Sequence, residues 1–149
     1  MKHKNRYITL TKEDITSFLD KAKNAKAYEK DMKELLDLGY KSLYDFFKDN
    51  ILFDDILFTF NHMNHPLAFI QAKRNGTLHV FFTNKIDAKK LIFVLRALKS
   101  LLHQYKNCNS FYMKIPNWYK SAQRNAKKVG FKPYKYEEFY TIWLWTKDE

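Results

Sequence analysis

The sequence predicts an α/β fold built on a mixed sheet, and three observations carry that reading. Segments with apolar residues at a period of two alternate with segments at a helical period. Residues 55–82 hold three strand-like runs separated by turn chemistry, the pattern of an antiparallel meander. A strand, a long helix and another strand then follow in that order, which implies a crossover and so a parallel relation somewhere in the sheet. The chain has 149 residues, the size of one domain, and residues 1–149 are read as a single unit.

Tyr7-Ile8-Thr9-Leu10 alternates and reads as a first strand. Thr11 is the expected N-cap of the helix that follows, with Asp14 three residues on. Ile15, Phe18, Leu19 and Ala22 give that helix its apolar side. A second helical segment covers residues 28–48, with Met32, Leu35, Leu36, Leu43 and Phe47 on one face and Gly39 as the point where it divides. Residues 55–60 and 67–72 read as strands on either side of a turn over 61–66. Asn75-Gly76 is a tight-turn signal into a further strand over 77–82. Residues 87–106 form the clearest helix, striped by Leu91, Leu95, Leu98 and Leu102. A strand over 110–115 follows, and Pro116-Asn117 opens a last helix that Gly130 terminates. Residues 131–136 and 139–145 close the chain as two strands. The order is therefore β-α-α-β-β-β-α-β-α-β-β. Besides the leucines of the long helix, Phe58, Phe69, Val129 and Phe131 are expected in the core. Trp143 and Trp145 are expected to share one face, as are Tyr134 and Tyr136.

Composition narrows the function. No apolar run approaches the roughly 18 residues that span a bilayer, and the basic N-terminus leads into no apolar signal core. The expectation is a cytoplasmic protein without a membrane partner. Cys108 is the single cysteine, which excludes an internal disulfide and a thiolate metal cluster. His62 and His65 flank a turn with no further ligands in sight, so no metal is assigned. The net charge is +11 and the isoelectric point about 9.6, which makes nucleic acid a possible partner. Only four of the basic residues are arginine (Arg6, Arg74, Arg96 and Arg124), whereas dedicated phosphate and base readers lean on arginine forks.

The element order resembles that of the GNAT N-acyltransferases over nearly the whole chain. Ile8 to Asp14 is similar to the family's first strand running into an acidic residue of the first helix. Lys128-Val129-Gly130-Phe131 is similar to the exit from its last helix. In length and motif erosion the chain is most similar to small GNAT-like proteins of tailed phages, among them internal virion proteins of T7-like phages. The resemblance implies an acyl-CoA N-acyltransferase fold whose fourth and fifth strands splay apart, and acetyl-CoA as the cofactor of an active member.

The resemblance also implies where function would sit. The coenzyme pyrophosphate belongs on a glycine-rich loop after the fourth strand. Here that stretch runs from Phe82 through Thr83, Lys85 and Asp87 to Lys89 and Lys90 without a glycine, and no glycine occurs between Thr77 and Val129. By position, Phe81, Phe82, Thr83, Lys85, Lys89, Lys90 and Asn117 are the candidate cofactor contacts. His79 is the candidate general base, by strand position and titration range. The family's tyrosine four residues before the glycine is Ala126 here; Tyr119, Tyr112 and Tyr105 are the possible substitutes, and Tyr119 is the one taken as a candidate site residue. The expected function is a GNAT-fold protein with an eroded acetyl-CoA loop, serving as a phage-type protein-interaction or virion-associated component with a protein partner. Two alternatives stand beside it: an active N-acetyltransferase moving acetyl from acetyl-CoA to an amine, and a GNAT-like protein directed at nucleic acid.

Overall fold

The computed structural model describes residues 8–63, 65–83, 88–104 and 109–146, with side chains described except at 8, 88–92 and 102. Tyr7, Lys85, Asp87, Tyr105 and Cys108 lie outside the described residues, as do the side chains of Lys89, Lys90, Leu91 and Leu102.

Strands β1 (Ile8–Glu13), β2 (Ile56–His62), β3 (His65–Ala72) and β4 (Leu78–Phe82) form a four-stranded sheet in that order. Strands β5 (Ser110–Pro116), β6 (Lys132–Tyr136) and β7 (Tyr140–Thr146) form a second sheet, ordered β5-β7-β6. Every pair within the sheets is antiparallel. The parallel component of the mixed architecture is an isolated bridge between Thr77 and Tyr112, where the two sheets meet. Gly76 makes that junction possible. A β-carbon there would stand 3.0 Å from the Ser110 carbonyl oxygen, and the residue has a φ of +95°, which favours glycine.

Five helices clothe the first sheet on both faces. On one side pack α1 (Ile15–Lys23), α2 (Glu29–Asp37) and α3 (Leu43–Asn50). Here Phe18, Phe46, Phe47, Phe69 and Phe81 gather, with Phe18 edge-on to Phe47 at 4.8 Å and to Phe69 at 5.3 Å. On the other side pack α4 (Ala88–Gln104) and α5 (Lys120–Val129). Val94, Leu95, Leu98, Ala126 and Val129 meet Phe60, Ala68, Ile70 and Leu78 from the first sheet and Phe111, Trp143 and Trp145 from the second. The two tryptophans do share a buried face.

Several sequence expectations need correction. Thr11 is not an N-cap: it pairs with Thr59 inside the β1–β2 ladder, and Asp14 caps α1 by accepting the Ser17 N–H at 2.7 Å. The long second helix divides around Gly39 as expected, and Ser42 caps its second piece through the Asp45 N–H. The hairpin after β2 is tighter than the turn chemistry suggested, because His62 pairs directly with His65. Phe58 is half-buried, since it stands opposite Lys12 of the edge strand β1. Pro116 does not open α5. It ends β5 opposite Tyr140, and the helix starts at Lys120. A register shift between Pro133 and Lys135 puts an extra residue, Tyr134, in β6 and interrupts the alternation that would have set Tyr134 and Tyr136 on one face.

Candidate site in the splay between the sheets

Beyond the bridge at Thr77, β4 and β5 diverge, and the opening between them is the candidate site. A strand edge exposed in this way presents backbone N–H and C=O groups that an extended, amide-bearing ligand pairs with by strand addition. In this protein the last residue of β4 is already paired. The Phe82 N–H donates to Asp31 Oδ2 at 2.5 Å, and the Phe82 carbonyl accepts the Tyr28 N–H at 2.8 Å. Both partners belong to the start of α2.

Asp31 also reaches the other side of the opening. Its Oδ1 accepts the hydroxyl proton of Tyr119, which stands at the N-cap of α5. One turn of contact further, the Lys33 ammonium lies 4.0 Å from the centroid of the Trp118 ring, and that ring stacks on Tyr119 at 4.9 Å. The first turns of α2 thus tie β4 to the segment joining β5 and α5, across the mouth of the splay. Asp31 is 3 % exposed and Tyr119 6 %. Burial pushes the Asp31 carboxyl up to about 6, while the bonds from Tyr119 and Phe82 hold it down. The Tyr119 phenol is raised further, by burial first and then by the Asp31 charge, so it stays a proton donor to that carboxylate.

Below this tie lies an apolar cavity of about 60 Å³, lined by Val80, Phe82, Leu95, Met113, Ala126 and Phe131 among others. Small-molecule sites run to roughly 300–1,000 Å³. Ala126, where the resemblance would place a tyrosine, supplies only a methyl group to this wall.

Among the described candidate side chains, Tyr119 and Phe82 stand at the splay, whereas His79, Phe81, Thr83 and Asn117 do not. His79 faces the opposite side of β4. It packs edge-on to Phe46 at 5.1 Å and parallel to Phe81 at 6.5 Å. Burial, then the Lys73 charge, lowers its pKa to about 4, so it is a neutral and weakly basic imidazole away from the opening. Phe81 shares that face. The Thr83 hydroxyl donates to the Pro66 carbonyl at 2.7 Å. Asn117 ties the last hairpin to the start of α5: its amide donates to the carbonyls of Glu137 and Glu138, and its Oδ1 accepts the Thr141 hydroxyl at 2.7 Å. Among the described residues, no three of His, Cys, Asp and Glu gather where they could hold a metal ion.

No family model and no curated protein matches this sequence. Solved structures do match its fold. The aminoglycoside acetyltransferase AAC(6')-Ib, in complex with coenzyme A and kanamycin, superposes with a TM-score of 0.63 at 11% identity over 95% of each chain. A GNAT-family acetyltransferase from Bacillus cereus ATCC 10987 gives 0.66 at 14% identity, over 94% of this chain and 97% of its own. Spermidine N-acetyltransferase from Vibrio cholerae, in complex with CoA and spermine, gives 0.65 at 12% identity, over 97% and 98%. The architecture is that of the GNAT acyl-CoA N-acyltransferase fold. No described helix is long and apolar enough to cross a membrane.

Proposed function

We propose that this GNAT-fold chain is a binding protein that does not use acetyl-CoA, because its own second helix occupies the last residue of the β4 edge, where a ligand in the splay would pair. The observation that carries the reading is the double pairing of Phe82 with Asp31 and Tyr28. Hydrogen bonds to a charged group net roughly 1.5–3 kcal/mol each. A ligand that displaced the two bonds on the Asp31 carboxylate would forfeit about 3–6 kcal/mol, a large share of the ~6.8 kcal/mol that a 10 μM affinity represents. The residues after β4 do not compensate. A run without glycine cannot fold its backbone N–H groups around a pyrophosphate as a glycine-rich loop does. The residues present therefore do not fit the coenzyme. The resemblance to small phage proteins supports a place as a virion-associated or protein-binding component, with the partner held on an outer surface.

Isothermal titration calorimetry with acetyl-CoA tests this directly. The expected result is no binding tighter than about 10 μM and no acetyl transfer to polyamines or aminoglycosides. Tight binding with turnover would instead establish the second reading, N-acetylation of an amine. That reading is favoured by one observation: Asp31 and Tyr119 are a carboxylate and a phenol, both shifted by burial, at the head of an apolar cavity. Under it, Asp31→Asn would abolish turnover.

A further inference from the structure

The second sheet is covered on one side only. Phe111, Ile115, Trp143 and Trp145 point into the core beneath α4 and α5. The intervening residues of β5 and β7 point the other way, and among the described residues neither apolar core includes Tyr112, Tyr140, Ile142 or Leu144. Their register sets out a platform. Tyr112, Leu144 and Lys132 form one cross-strand row, and Lys114, Ile142 and Lys135 form the next. Tyr140 follows at the end of β7, with the Lys114 ammonium 4.6 Å from its ring centroid. Tyr112, Lys114, Lys132 and Lys135 are exposed, and Tyr140, Ile142 and Leu144 are half-exposed.

An antiparallel sheet commonly turns one face to water, and polar residues then alternate along it. This face instead sets aromatic and aliphatic side chains between lysines. It also lies in the half of the chain that holds the charge. Residues 88–136 contain 12 lysines and arginines and not one aspartate or glutamate. The remaining 15 basic residues are offset by all 16 acidic ones, so the whole +11 belongs to this stretch. Glu137 and Glu138 sit in the β6–β7 turn at the platform's end, and at the β5 edge Lys114 shares the surroundings of His79 with Lys73 and Asp55.

We propose that the open face of β5-β7-β6 binds single-stranded nucleic acid, with Lys114, Lys132 and Lys135 against phosphates and Tyr112 and Tyr140 under bases. The chemistry matches in both parts. Ammonium groups on strands that carry no carboxylate attract a polyanion irrespective of sequence. Exposed rings offer stacking to any base once it is free of a duplex. The face is the side of β5 and β7 opposite Phe111, Ile115, Trp143 and Trp145, which pack with α4 and α5.

Fluorescence anisotropy of labelled oligo-dT and oligo-U, each about 16 nucleotides long, tests the proposal and separates DNA from RNA. Binding to at least one of them is expected, weakening as salt rises. The double variant Lys114→Glu/Lys135→Glu should bind at least about tenfold more weakly. Tyr112→Leu, which keeps an apolar side chain against Gly76, should lose about tenfold by removing one stacking surface. Lys41→Glu, an exposed change between α2 and α3, is the control and should shift binding by less than about twofold. Unchanged melting temperatures establish that the variants fold. The proposal is overturned by absence of binding, by equal losses in Lys41→Glu and the double variant, or by poly-glutamate competing as well as unlabelled oligonucleotide, which would mark the face as a dock for acidic protein.

Discussion

Asp31 is held by groups from two parts of the chain far from its own helix, and its ionisation is set against its burial. The same segment carries Glu34, whose pKa rises to about 8 through burial and then through the charges of Asp31 and Asp37. A carboxyl raised in the fold binds a proton that the unfolded chain has released, so stability falls as pH climbs from the ordinary value to the shifted one. For Asp31 that window runs from 3.8 to about 6, and for Glu34 from 4.5 to about 8. His79 acts in the opposite sense. Its lowered pKa makes stability rise between about 4 and 6.5. Above 6.5 only Glu34 among the three is still changing. The denaturation midpoint should therefore fall between pH 6.5 and 8, and Glu34→Gln should flatten that fall. Parallel slopes in the two proteins would show that Glu34 is ionised throughout. None of this was legible in the sequence. Asp31 stands among Glu29, Lys30, Lys33 and Glu34 on a helix whose charges all read as solvent-facing, and its partners are 51 and 88 residues away. Tyr119 could be singled out only through the family pattern, and its role turned out to be that of a tie between elements.

Elements were read from the sequence wherever one local rule governed them. The β2–β3–β4 meander followed from alternation and Asn75-Gly76, and the end of α5 followed from Gly130. That glycine has a φ of +114°, and its N–H closes onto the carbonyls of Ala126 and Lys127. A β-carbon there would lie 3.1 Å from Trp145 Nε1. Gly130→Ala therefore meets both a backbone penalty and a crowded indole, and should destabilise by about 1–3 kcal/mol in urea denaturation. A change below about 0.5 kcal/mol would mean the tryptophan moves freely. Misread boundaries share a cause. Thr11 is a good N-cap by type, but β1 extends through Glu13. The Glu13 carboxylate takes the Thr59 hydroxyl at 2.5 Å and pairs with Lys21. A cross-strand partner 46 residues away outweighed the local cap preference, and no local window contains that partner. The bulge at Tyr134 is likewise a matter of pairing with β7, and its one local sign is Pro133, since proline in a sheet is confined to edges and bulges.

At the scale of the whole molecule, the fold was legible because eleven elements in a fixed order admit few arrangements, and the predicted splay between the fourth and fifth strands is present. The direction of His79 was lost for a simple reason: which of two alternating faces looks toward the opening depends on where the helices settle. The same splay has a mechanical consequence. The two sheets share a packed core, yet among the described residues their backbones meet at one bridge, where the Tyr112 N–H donates to the Gly76 carbonyl at 2.8 Å. Ladder bonds propagate order along a sheet, and here that propagation stops at a single rung. Amide hydrogen exchange should consequently divide the strands into two groups, with β2 and β3 protected to one opening free energy and β5 and β7 to another. Tyr112 should follow the weaker group. A single common value across all four strands would show that side-chain packing between the sheets, rather than the backbone, sets the boundaries of cooperative opening.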